Sequence, residues 1–90
     1  MQDNVFEDLY NVDVYQKMAV DASIEAMTSF KRKIVYDISY AAKQGKHMVD
    51  FQIPIILTDA QVNNIIQELQ NKGFKVKYTY WADYELQVNW

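Results

Sequence analysis

The sequence predicts an α+β fold: a long N-terminal helix, then strand, helix, strand and strand, forming a small three-stranded sheet with both helices on one face. Three observations predict it. Residues 1 to 44 hold no Gly or Pro and repeat apolar residues at helical spacing. The stretches HMVDFQI and FKVKYTY alternate apolar and polar residues, as half-buried strands do. Between them stands LTDAQV, a helix start with its own capping residues.

Taken in order, residues 1–13 read as an N-terminal arm, 14–44 as the long helix, and 45–90 as a strand–helix–hairpin core, together one domain. Asp13 followed by Gln16 has capping-box form. From there Met18, Ala22, Ile24, Met27, Phe30, Ile34, Ile38, Ala41 and Ala42 trace one broad apolar face. Lys43, Gly45 and Lys46 form the stop: cations near the negative end of the helix dipole, and a Gly free to turn left-handed. In the first strand Val49, Phe51 and Ile53 point to one side and Asp50 and Gln52 to the other, until Pro54 limits the ladder. Thr58 then caps the second helix, Gln61 reaches back to it, and Leu57 staples against Val62. Val62, Ile65, Ile66 and Leu69 make its apolar stripe. Gly73 ends it, with Leu69 and Phe74 placed for the hydrophobic contact of a Schellman stop.

The final hairpin sets a register problem. Phe74, Val76, Tyr78 and Tyr80 alternate, as do Tyr84, Leu86, Val88 and Trp90, but Trp81 is out of step. A one-residue slip would turn the two apolar sets to opposite faces, so only an odd loop keeps them together. The loop Trp81-Ala82-Asp83 makes Tyr80 oppose Tyr84, Tyr78 oppose Leu86 and Val76 oppose Val88, and it puts Trp81 at an exposed tip. The final hairpin either extends the sheet or inserts its last strand between the other two, all antiparallel, and the inserted arrangement is preferred. Tyr36, Tyr40, Tyr78 and Tyr84 are assigned to the core. The open sheet face is then polar: Asp50, Gln52, Lys75, Lys77, Thr79, Glu85, Gln87 and Asn89.

Composition narrows the function classes. Ninety residues, half of them apolar, with two Gly and one Pro, suit one compact domain. With no Cys there is no disulfide framework, thiolate nucleophile or cysteine zinc site. The start MQDNVFEDLY lacks the basic and apolar regions of a signal peptide, so none is expected. No apolar run is long enough to span a membrane, so the expected location is a cytoplasm or an assembled particle built in one. Charge is uneven: residues 1–30 carry six acids against Lys17, while Lys31, Arg32 and Lys33 begin a basic segment. Such polarity can orient a partner or a second copy of the chain.

Chemistry is sparse. His47 is the only histidine, and on an alternating strand it faces away from Asp50, which leaves no base with its orienting group. The serines on the long helix have no histidine neighbour, both glycines serve as helix stops, and the acids lack calcium-loop spacing. No enzyme activity, cofactor or metal is expected. Lys75 and Lys77 beside Trp81 loosely suit single-stranded nucleic acid, but a pI near 4.9 opposes a phosphate-binding field. Seven Tyr and two Trp favour protein interfaces. Trp81, Phe6, Tyr10 and Tyr15, with Lys75 and Lys77, are the expected partner-binding residues. Because a helix over residues 14–44 is about twice as long as any strand here, its first half should overhang the sheet. Met18, Val20, Ile24 and Met27 on that overhang are the expected surface of a homo-oligomer, unless the arm Val5-Phe6-Leu9-Tyr10 folds back over them.

Three stretches carry a likeness: a helix ending in Ala41-Ala42-Lys43-Gln44-Gly45, a helix closing L-x-x-x-G-F-x-V from Leu69 to Val76, and a strand L-x-V-x-W from Leu86 to Trp90. Over residues 34–90 the chain resembles small bacteriophage-encoded proteins of unassigned function. The resemblance implies a phage origin and supplies no active site. It leaves two roles: a protein-binding module that inhibits a host or defence component, or a small structural subunit of the virion. A weak single-stranded nucleic-acid binder is the third expectation.

Overall fold

The computed structural model describes residues 5–79 and 84–90. A short 3-10 turn, Val5–Asp8, precedes helix α1, Val12–Lys43. Strand β1, Met48–Gln52, helix α2, Asp59–Asn71, and strands β2, Lys75–Thr79, and β3, Glu85–Asn89, follow. The sheet order is β1-β3-β2, with both pairings antiparallel. The last strand is therefore the central one. Tyr78 lies opposite Leu86 and Val76 opposite Val88, the register that an odd loop requires. Trp81, with Tyr80, Ala82 and Asp83, lies outside the described residues. Tyr84 opens β3 with φ of +52°, left-handed for a residue with a side chain. Its carbonyl accepts from the Ile53 amide at 2.8 Å, and its ring meets Tyr78 edge-on at 6.3 Å.

Helix ends follow local chemistry, with one correction. α2 starts as expected: the Gln61 amide donates to Thr58 Oγ1 at 3.2 Å, and the Thr58 amide donates to Gln61 Oε1 at 2.9 Å. Leu57 and Val62, on either side of that cap, are both buried. Both helices close in Schellman form. Gly45 donates to Ala42 and Lys46 to Ala41, each at 3.0 Å; Gly73 donates to Gln70 at 2.9 Å and Phe74 to Leu69 at 3.1 Å. The two glycines have φ of +80° and +96°, which residues with a Cβ rarely adopt. The expected capping box at Asp13 is not formed. α1 begins at Val12 behind Asn11, whose side chain makes no cap bond, and Asp13 falls inside the first turn, where its charge suits the dipole.

The core forms where both helices meet one face of the sheet. α1 packs over β1 and α2 over β2. Phe30 and Ile34 from α1 join Phe51, Ile53, Leu57, Val62, Ile65, Leu86 and Val88 in one cluster. Leu86 and Val88, on the central strand, are fully buried. Phe30 meets Phe51 edge-to-face at 6.1 Å and 88°. Opposite this face Asp50, Gln52, Lys75, Lys77 and Glu85 are exposed, so the sheet is polar on its outer side. Trp90 is half-buried, its ring edge-on to Phe74 at 6.3 Å. Its amide donates to the His47 carbonyl at 2.9 Å, which extends the β1–β3 ladder by one bond.

Two expectations about α1 fail. Tyr36 and Tyr40 are not core: they are 68% and 57% exposed. Each stands two residues beyond a core-facing Ile, about 200° around a helix that turns roughly 100° per residue. Ala42 is likewise exposed, and only Ala41 of that pair is buried. The expected overhang is present. From Val12 to Ala22 every residue is exposed, a length of about 16 Å at 1.5 Å per residue. The molecule measures 67 × 23 × 22 Å, with a radius of gyration of 18.0 Å. A compact chain of this length would have about 12 Å.

Candidate interaction surface

The projecting part of α1 is apolar around most of its girth. Taking Phe30 and Ile34 as the direction of the sheet, at about 100° per residue, Ala19 lies near the sheet side, Val20 and Ile24 run along one flank, Tyr15 and Ala22 along the other, and Met18 lies toward the outer side. Charged side chains fall on the outer side, with Lys17, Asp21 and Glu25, and on the Val20 and Ile24 flank, with Asp13. A helix with so wide an apolar arc is normally packed on several sides. Here Met18 is 54% exposed, Val20 57% and Ile24 52%.

Of the residues expected at an oligomer interface, Met18, Val20 and Ile24 are therefore free, whereas Met27 is not. It lies a turn closer to the sheet and packs, half-buried, against the core. Among the described residues the arm does not fold back over Met18, Val20 and Ile24. It turns beside the first residues of α1, where the Tyr10 amide donates to Tyr15 Oη at 3.2 Å and the two rings lie 6.2 Å apart. Phe6, Leu9 and Tyr10 stay exposed.

The remaining partner-binding expectations divide between two elements. Phe6, Tyr10 and Tyr15 gather at the free end of α1. Lys75 and Lys77 lie on the outer sheet face, where Asp50 and Glu85 share the surface and balance their charge. Trp81 lies outside the described residues.

Two grooves run between α1 and the α2 side of the molecule. The first, of about 450 Å³, lies where the overhang leaves the core and is lined by Ala19, Val20, Ile24 and Ile56. Its floor is polar and self-satisfied: Ser23 Oγ donates to Gln61 Oε1 at 2.8 Å, the oxygen that also accepts from the Thr58 amide. The α2 cap thus ties α1 down at the point where the overhang begins. The second groove, of about 350 Å³, lies further along between Ile34, Val35, Ile38, Ile65 and Leu69. Lys31 Nζ and Glu68 Oε2 bridge it at 3.2 Å. That pair is partly exposed, so it contributes at most about 1 kcal/mol. Ser39 and Lys72 are the other polar residues in its lining.

Sequence reasoning missed three exposed apolar features. Tyr36 and Tyr40 stack at 6.4 Å and 6° on the outer face of α1. Val35 is 66% exposed beside the second groove. Ile55, after Pro54, is 92% exposed. The first could have been found by helical projection from Ile34; the others depend on how the loop and helices settle in three dimensions.

Among the described residues no three His, Asp or Glu side chains cluster to hold a metal. His47 is exposed, and its Nδ1 lies 3.2 Å from the Trp90 carbonyl. No helix among the described residues is long and apolar enough to cross a membrane. No family model matches the chain, and no curated protein or solved structure matches it either.

Proposed function

We infer that the protein is a non-catalytic interaction module of phage origin that binds a host or defence protein and blocks it. One observation carries the reading: the first 11 residues of α1, Val12 to Ala22, are all exposed, and Val20, with Ile24 a turn further on, stands beside a groove that contains Ile56. Free apolar surface on a tethered, preorganised helix is suited to entering, or extending, a helical groove on another protein. The mixed charge of the outer sheet face favours a protein over a nucleic acid, which would need a sustained positive field. The phage origin rests on the likeness over residues 34–90.

The test compares tagged wild type with the double variant Val20→Asp/Ile24→Asp in a bacterial host lysate, with circular dichroism to confirm that both keep their helix content. A host protein retained at fixed stoichiometry by the wild type, lost by the variant and rebound from purified components supports the reading. If both bind the same proteins, the projection is not the docking site. A fixed copy number of the chain in purified virions, without such a partner, would instead favour the structural-subunit role.

A further inference from the structure

We propose that the outer face of α1, on the side away from the sheet, is the interface of an antiparallel homodimer. From Met18, alternating steps of four and three residues pass through Ala22, Glu25, Ser29 and Arg32 to Tyr36, and all six side chains are exposed. This is the spacing of a seam between two helices. It runs from the overhang across the part of α1 that covers the sheet, on the opposite side, and ends at the stacked Tyr36–Tyr40 pair.

The second copy is chosen by the charges. The seam carries one acid, Glu25, and one base, Arg32, which lie about two and five residues from its midpoint on opposite sides. Among the described residues neither is in an ion pair, whereas Lys31 and Lys33 are taken by Glu68 and Asp37. A two-fold axis at the midpoint brings Met18 level with Tyr36 of the second copy. It also sets Arg32 within one turn, about 5 Å along the axis, of the second copy's Glu25. Each Arg32 then lies nearer the second copy's Glu25 than the two Glu25 side chains lie to each other, about 6 Å along the axis, and the pairing recurs twice, as an isologous interface requires. A parallel pair would instead set Glu25 against Glu25 and Arg32 against Arg32. In this register Ala22 lies level with the second copy's Arg32 and Ser29 level with its Glu25, so each charged side chain faces a small one.

Area agrees with this occupant. A compact monomer of 10.6 kDa should expose roughly 5,500 Å² by the scaling of folded proteins. This chain exposes 7194 Å². The surplus of roughly 1,700 Å² is spread over the projection and the arm, and covering about half of it would reach the roughly 800 Å² per partner of a standard interface. The overhang of each copy would lie along the tyrosine end of the other. Val20 and Ile24, on the groove flank, would remain free, so the dimer and the proposed partner site use different surfaces and can be tested apart.

Sedimentation equilibrium from about 1 to 100 µM, with Glu25→Arg, Arg32→Glu and the double exchange, decides the matter. Wild type is expected to be a dimer. Each single exchange is expected to weaken it by about tenfold or more, because each places like charges together twice, and the double exchange is expected to restore it. Circular dichroism on every variant confirms that the helix is retained. A wild-type monomer throughout the range overturns the proposal. So does a dimer indifferent to the single exchanges, or one that the double exchange fails to restore. The Val20→Asp/Ile24→Asp variant should dimerise like wild type, so loss of its host partner and loss of the dimer are separate outcomes.

Discussion

Thr58, with the Gln61 side chain, ties three segments together. Its hydroxyl accepts from the Gln61 amide, its own amide donates to Gln61 Oε1, and that oxygen also takes the Ser23 hydroxyl from α1. Replacing Thr58 by Ala removes the acceptor for one of the orphan amides at the start of α2, and water replaces it imperfectly beside the buried Leu57 and Val62. Thr58→Ala is expected to lower stability by about 1 kcal/mol, read as a lower urea midpoint at unchanged slope. Thr58→Ser should recover most of the loss, since it keeps the oxygen. An unchanged midpoint for the alanine variant would mean that the cap bonds contribute nothing net.

Among the elements, α2 is the most self-determined, because its cap, stripe and stop all lie within LTDAQV through GFKV. Gly73 turns the chain from α2 into β2 at φ of +96°, and a Cβ built there would meet nothing within 4 Å. Any cost of Gly73→Ala is therefore backbone strain alone: about 1 to 2 kcal/mol by thermal or urea melting, against no cost if the turn relaxes freely. Such local rules explain why much of the fold was legible. Alternation placed the strands, and the odd hairpin loop placed Val88 opposite Val76. The start of α1 was misread because Asn11 and Asp13 are both good cap residues, and the choice between them was not made by a side-chain bond. Tyr36 and Tyr40 were misread from residue type, although their angle from Ile34 and Ile38 puts them outside. Of the candidate surface, Met18, Val20 and Ile24 followed from helix length against strand length. Met27 fell on the wrong side of the boundary because sequence alone does not say where the sheet edge cuts the helix. The grooves were not legible, since they arise from how the Pro54 loop and the two helices settle against each other.

For the whole molecule, shape is the property with consequences. A 67 Å particle with a 23 Å cross-section exposes far more surface than its mass requires. In the antiparallel dimer the two α1 helices overlap along nearly their whole length, so each sheet lies near the other copy's overhang and each arm projects past the other's helix end. The long dimension should then grow from 67 Å to only roughly 85 Å, reckoned at 1.5 Å per helical residue. Dimers joined end to end through the exposed arms would approach twice the monomer length. Small-angle scattering at a concentration where sedimentation shows a dimer separates the two. A maximum near the shorter figure fits the side-by-side pairing, and Glu25→Arg should return the curve to that of the 67 Å monomer. A maximum well above 100 Å, on the order expected for end-to-end contact, would place the interface at the arm and leave Tyr36, Tyr40 and Met18 open to water.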